Sequence, residues 1–463
     1  MKKLWRWVGR ILKWSGIVVL ALALLVGCLV GLAFAINAHD EAPTPETKAL
    51  LVTPPNPFAP EDNIYYAFAG FDAPPGEPMI AVGQARIEAH NKHPASPEAP
   101  DPHRLIFKGS TDFCQLMSGS LWQEVPLHRA EVAKLLSDNW ELYQRYLALH
   151  HLHGYYETAS PNYTVSQPVS VRRLYLADVV LHLQSGDAHA QHAALADLNE
   201  DVLLWRSVLT GQGGLLSKML AVANLHSDSL VAGDMIADAG SEVPLDEAYA
   251  DLIAPIFKPR DWDIGNAFAQ EFRTQASLIR QIYAESAGGW GAAEHPDGSA
   301  QPRWSRIENE IVARFFKLQA TENLFALTTT RLITAAAMDP ANFHKRISVR
   351  QALWREGFLY NPIGKALARV ALPDVGNYSP RAWDGAALQR LVRAGYEIRS
   401  AHIDPAQIPA FLAQHPEWST HPADGRPFLW DPATHELRVQ TVAVQSSSPR
   451  RFGIPIWQGA NAH

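Results

Sequence analysis

The chain opens on one long apolar run. Trp14 to Ile36 (WSGIVVLALALLVGCLVGLAFAI) carries no charged residue. At helical rise it is about 34 Å long, enough to cross a hydrocarbon core of about 30 Å. Lys2, Lys3, Arg6, Arg10 and Lys13 precede it, and Asp40, Glu41 and Glu46 follow it. Cations before the span and acids after it place residues 1–13 in the cytoplasm. The bulk of the chain then lies in the periplasm, tethered to a bacterial inner membrane through residues 14–36. Trp5, Trp7 and Trp14 suit the aromatic belt at the cytoplasmic interface. Two other readings compete. Ala33-Phe34-Ala35 has the form of a signal-peptidase site, and Leu25-Val26-Gly27-Cys28 that of a lipobox. The apolar run exceeds an ordinary signal h-region, and the residues after Cys28 stay apolar, so an uncleaved anchor is the favoured reading.

Beyond the span the pattern changes. Residues 37–60 hold Pro43, Pro45, Pro54, Pro55, Pro57 and Pro60, which predicts a semi-rigid extended stalk. The rest, 61–463, reads as one helical periplasmic domain. Short helices are predicted over Glu61–Gly70 and Glu77–Asn91, and one long helix over Leu127–His153. The clearest periodicity lies between Pro168 and Gly240. A first helix ends near Gly186. A second starts at Asp187 as N-cap and carries Ala194, Leu198, Val202, Trp205 and Leu209 on one line. It stops at Gly211, Gly213-Gly214 makes the turn, and a third helix follows. Asn266–Glu285 and Trp304–Met338 are further helices, separated by a glycine-rich loop that offers a sub-boundary at 287–303. Helices are also predicted over Phe343–Trp354, Ile363–Leu372 and Ala386–Ile398. Alternation in 426–444 around the Asp431-Pro432-Ala433-Thr434 turn predicts a hairpin. The fold class expected is therefore mainly α: an irregular multi-helix assembly with a small C-terminal β-hairpin, preceded by one transmembrane helix.

Composition narrows the function classes. The 463 residues are 47% hydrophobic and 19% charged, enough for one large core or two ordinary ones. Two cysteines exclude a disulfide scaffold and a Cys-type metal site. With Cys28 in the span, Cys114 reads as a small buried apolar residue. The formal charge is −7, and subtracting the five cations of residues 1–36 leaves −12 for the exported part. That balance excludes a nucleic-acid footprint.

Catalytic motifs are mostly missing. H-E-x-x-H, E-x-x-H, S-x-x-K, G-x-S-x-G and the Walker A loop are all absent. Gly211, Gly213 and Gly214 follow a helix rather than a strand, so they read as a helix–helix turn and not a phosphate loop. His150, His151 and His153 cluster, and His189 and His192 share a helix face, yet no third ligand is placed for a metal. No catalytic, cofactor-binding or metal-binding residue is assigned, and no cofactor is expected. More informative are polar residues on apolar lines: Glu322 beside Phe315, Leu318 and Phe325; Asp178 between Leu174 and Leu181; His226 between Ala223 and Leu230. A buried acid needs a partner, and Arg172, Arg173, Arg314 and Arg331 are at hand in sequence. Trp122, Trp140, Trp205, Trp304 and Trp354 are expected as core anchors, whereas Trp290 and Trp457 stand in loop-like contexts from which exposure is not read.

Four segments together resemble a family of uncharacterised, membrane-anchored proteins of Gram-negative proteobacteria. They are Asn63–Pro78 (NIYYAFAGFDAPPGEP), Gly186–Leu225, Asn361–Asp374 (NPIGKALARVALPD) and Ile408–Val439. The resemblance implies an inner-membrane anchor and a helical periplasmic domain, and supplies no catalytic residue. The function expected is binding or scaffolding in the cell envelope with a protein partner. The alternative is a glycan hydrolase using helix-borne carboxylates such as Asp178 and Glu322.

Overall fold

The computed structural model describes residues 2–92, 101–114, 120–158, 168–238, 258–287, 314–337, 359–371, 378–443 and 452–457. In chain order the helices are α1 (Lys2–Ile36), α2 (Pro45–Leu51), α3 (Ile64–Ala69), α4 (Met79–Lys92), α5 (Leu121–Glu124), α6 (Arg129–Asp138), α7 (Trp140–Leu149) and α8 (Val169–Leu183). They continue with α9 (Ala188–Thr210), α10 (Leu215–Asp238), α11 (Gly265–Ala287), α12 (Leu318–Ala336), α13 (Pro362–Ala371), α14 (Tyr378–Ser400), α15 (Ile408–Gln414) and α16 (Pro416–Ser419). Three short strands close the chain: β1 (Leu429–Asp431), β2 (Glu436–Arg438) and β3 (Gly453–Pro455). The fold is mainly α, as the periodicity predicts. The hairpin is present as β1–β2, with Trp430 opposite Leu437. The third strand was not anticipated; it pairs antiparallel with β2, placing Ile454 opposite Leu437.

The chain divides into two compact units, and the division falls inside α11 and α12. The smaller unit comprises Met1–Val52, Gln275–Thr329 and Ile347–Pro373. Within it, α1 is long and apolar enough to cross a membrane over Lys13–Ile36, with none of that window buried by protein. Only part of the predicted stalk is extended: Pro45–Leu51 is helical, started by the Thr44 side chain accepting from Thr47 N. Asn323 on α12 holds this helix, its Oδ1 accepting from Thr44 N at 3.1 Å and Thr47 Oγ1 at 2.8 Å. Asp40 begins α12 from outside, accepting from Gln319 N and Ala320 N at 2.9 Å each. That cap explains why the pattern expected as one helix over Trp304–Met338 is interrupted at Phe316-Lys317. Residues 304–313 of it, and the helix predicted over Phe343–Trp354, lie outside the described residues.

The larger unit comprises Thr53–Thr274, Thr330–Arg346 and Asp374–His463. Its centre is α10, buried along nearly its whole length. Helices α9 and α14, with β3, pack against it, and α8 packs on α9. Glycine makes the closest approach possible: a Cβ at Gly233 of α10 would lie 2.5 Å from Ile454, and one at Gly395 of α14 would lie 2.8 Å from it. Ile454 is thereby fully buried against both helices. The helix expected over Leu127–His153 is instead two, α6 and α7, broken at Asn139. The Asn139 side chain exchanges hydrogen bonds with the Lys108 backbone and also donates to Leu135 O, which holds it out of helical geometry. Across the unit, Asp384 of α14 receives Val442 N at 2.8 Å and Ala443 N at 3.1 Å. His421 Nδ1 accepts from Ala423 N, so Nε2 carries the proton donated to Asp384 at 3.1 Å.

Candidate functional site

Two polar clusters are built into the larger unit, and both surround α10. The first is fully buried. Arg172 of α8 donates Nε to Asp201 of α9 at 3.1 Å, and Nη2 to Asn224 O at 3.0 Å and to the Asp228 carboxylate of α10. Tyr146 of α7 donates to Asp201 at 2.5 Å and receives Trp205 Nε1 at 3.1 Å. His150 Nε2 stands 3.5 Å from Asp201. Burial raises the Asp201 carboxyl, but Arg172, His150 and Tyr146 outweigh it and hold it below its ordinary value. Asp228 is the opposite case: burial and the Asp201 charge raise it against Arg172. Arg172 itself is held charged by the two carboxylates against the cost of burial. The Arg172 guanidinium between two carboxylates ties α8, α9 and α10 together, and Tyr146 adds α7.

The second cluster closes the α9–α10 turn and reaches the surface. Lys218, fully buried, donates Nζ to Val208 O at 2.9 Å, Leu209 O at 2.8 Å and Gly211 O, capping the C-terminus of α9. Burial pushes its ammonium down to about 7, with Glu157 pulling it back up. Glu157 accepts from Gly214 N at 3.0 Å, Tyr155 OH at 2.8 Å and Ser217 Oγ at 2.5 Å. Glu271 of α11 accepts from Leu215 N at 3.0 Å. Burial raises Glu271, the Leu215 bond lowers it, and the Glu157 charge adds to the rise. A Cβ at Gly214 would stand 3.1 Å from Glu271 Oε1 and 3.6 Å from Glu157 Oε2, so both carboxylates close on this glycine. Two half-buried acids with unlike environments are the raw material of acid/base chemistry. Here they also satisfy the free amides at the start of α10.

The residues singled out by sequence are dispersed. Glu322, buried in the smaller unit, is sealed by Arg280 at 2.6 Å; none of the four arginines nominated by sequence is its partner. Asp178, in the larger unit, receives Tyr143 OH at 2.7 Å and stands 3.4 Å from His182 Nδ1. Each acid is satisfied within its own unit. Of the histidines, His150 joins the Asp201 network, while His151, His153, His189 and His192 are exposed. Among the described residues no group of three metal-ligating side chains occurs. His226 is buried with its ring edge-on to Phe452. Cys114 is buried, which pushes its thiol up to about 12.

The tryptophans divide. Trp205 and Trp122 are core residues, but Trp140 is 57% exposed, its ring parallel to Tyr143 on the outer face of α7. Trp457 is half-buried, edge-on to Trp430 and His435 and beneath the Arg399 guanidinium. Trp290, Trp304 and Trp354 lie outside the described residues.

Sequence reasoning missed Asp201, Asp228, Lys218, Glu157 and Glu271. Asp201 and Asp228 follow apolar neighbours at helical spacing and were open to the same test as Asp178. Glu157 and Glu271 carry no local signal, because they converge from separate segments on a glycine turn. Compared with family models, curated proteins and solved structures, the chain matches none.

Proposed function

We propose that this chain is an uncleaved, single-pass inner-membrane protein with residues 1–13 in the cytoplasm and its body in the periplasm. Its role there is binding or scaffolding in the cell envelope, with an envelope protein as partner. One observation carries the anchor reading: the end of α1 is built into a folded unit. Asn37 is fully buried, donating to Leu359 O at 2.6 Å and accepting from Asn361 N at 2.8 Å. Phe34 packs edge-on to Phe315, and its carbonyl receives Arg314 Nη2 at 3.1 Å. Cleavage after Ala35 would remove the Phe34 contacts, and cleavage before Cys28 would leave α1 too short to cross a bilayer.

The binding role is supported by the state of the titratable groups. The buried acids of the ion triad, Glu322 and Asp178 all have partners inside the fold, as structural groups do. The hydrolase alternative now rests on Glu157 and Glu271, which approach Gly214 from unlike environments.

Protease treatment of intact spheroplasts, followed by alkaline extraction, tests the reading. The body should be digested from outside, and undigested chain should stay with the membrane through the wash. Release by the wash, or protection of the body, would refute it. Loss of glycan hydrolysis in Glu157→Gln, against an active parent, would instead favour the hydrolase.

A further inference from the structure

Two cations beside the exit of α1 form no ion pair among the described residues. Lys317 lies just before α12 and is 8% exposed. Its backbone amide donates to Asn361 Oδ1 at 3.0 Å, but among the described residues its ammonium meets no hydrogen-bond acceptor. Arg314, three residues earlier and more exposed, is fixed by one bond, from Nη2 to Phe34 O, with its guanidinium 5.9 Å over the Phe34 ring. Its Nε is buried and has no hydrogen-bond partner among the described residues. Burial and the Arg314 charge push Lys317 down, and only Asp40 opposes them.

Among the described residues, the acids nearby are already committed. Both Asp40 oxygens accept from the first amides of α12, and Glu41 accepts from Asn323 Nδ2 at 2.9 Å. A buried, unpaired ammonium beside a second cation is costly in water, and an anion with several acceptor oxygens relieves it. The level of the pair says which anion is at hand. Phe34 is near the end of the apolar run 14–36, which is about as long as the hydrocarbon core is thick, so its carbonyl stands at the edge of that core. Lipid phosphates lie at that level.

We propose that Arg314 and Lys317 bind the phosphodiester of an anionic glycerophospholipid at the C-terminal end of α1. This rests on the reading of α1 as a retained membrane span. Arg314 offers its remaining guanidinium donors, and Lys317 supplies the point charge. Phe34 and Phe315, in edge contact beside them, offer an apolar surface to the upper acyl chain.

Native mass spectrometry of the full chain released from nanodiscs tests this. Nanodiscs of phosphatidylglycerol, phosphatidylcholine and uncharged diacylglycerol doped into phosphatidylcholine are compared, with inorganic phosphate added to detergent-solubilised protein as a separate arm. One phosphatidylglycerol should stay bound, and Arg314→Gln/Lys317→Met should retain it roughly tenfold less. Arg314→Lys/Lys317→Arg should keep it, which separates lost charge from lost folding. Equal retention of diacylglycerol, or retention unchanged in the charge-removal variant, overturns the proposal. Stabilisation by inorganic phosphate without lipid retention overturns the lipid assignment in favour of a free anion. The same spectrum reports the mass of the chain. Loss of residues 1–35, or of 1–27 with lipid on Cys28, refutes the anchor, whereas a full-length chain without lipid refutes the site alone.

Discussion

Asn361 donates its backbone amide to the Asn37 side chain at 2.8 Å, closing a loop of 324 residues at the end of α1. Asn361 sits at φ 48°, a region that asparagine tolerates better than most residues. Its side chain accepts from Lys317 N at 3.0 Å and Gly364 N at 3.2 Å and donates to Thr321 Oγ1 at 2.9 Å. One residue thus joins the starts of α12 and α13 to the residue that follows α1. Asn361→Ala should destabilise the smaller unit by about 2–4 kcal/mol, through stranded buried amides and a strained backbone. Asn361→Gly, which relieves only the strain, should recover about 1 kcal/mol. Thermal unfolding of both in detergent, read at the tryptophans, checks the order.

The Arg172 triad should behave as a structural unit. Arg172→Met leaves an uncompensated carboxylate in the interior and should cost about 3–5 kcal/mol. Arg172→Met combined with Asp201→Leu and Asp228→Leu should be milder than the single change, because no charge remains to be buried. Denaturant unfolding of the variants compares them. A single variant as stable as the parent would mean that the ions contribute nothing.

Lys218 predicts a pH dependence of definite sign. Its folded value, about 7, lies below the ordinary 10.5. Between those values the unfolded chain holds a proton that the folded chain has lost, so this group makes stability rise with pH, by at most about 1.4 kcal/mol per unit. Below pH 7 both states are protonated and the contribution is flat. Lys218→Met should remove that slope while losing the cap on α9. Stability curves for parent and variant from pH 6 to 10 should diverge upward for the parent; parallel curves would show that the ammonium stays charged.

Glu157 and Glu271 should respond unequally to neutralisation. Glu157 accepts three hydrogen bonds, and an amide in its place brings donors against donors. Glu157→Gln should cost about 2 kcal/mol. Glu271, already raised by burial, accepts one amide that glutamine can also accept. Glu271→Gln should stay within about 1 kcal/mol of the parent. Chemical denaturation at neutral pH measures both.

Much of the architecture was legible because helices advertise themselves by period. The Ala194–Leu209 line, the Asp187 N-cap and the Gly211 stop all appear where the pattern placed them, with Asp187 accepting from His189 N at 2.9 Å. The misreadings share a physical cause: a distant side chain decided the local structure. Asn139 breaks α6 from α7 through Lys108, and Asp40 starts α12 from far away in sequence. The third strand could not be read from three residues, since Ile454 matters only against glycines on α10 and α14. The clusters around α10 were hidden for the same reason, being assembled from α7, α8, α9, α11 and the turn before α10. Acids on apolar lines were the right signal, but sequence spacing did not name their partners: Glu322 meets Arg280, and Arg172 serves Asp201 and Asp228.

The retained anchor is the claim on which the location and the lipid site both depend. Intact-mass measurement of the chain purified from membranes tests it most directly. The account predicts the full 51.1 kDa species with residues 1–36 present, apart from ordinary processing of Met1. A mature chain beginning at Ile36, or at a lipidated Cys28, would contradict it.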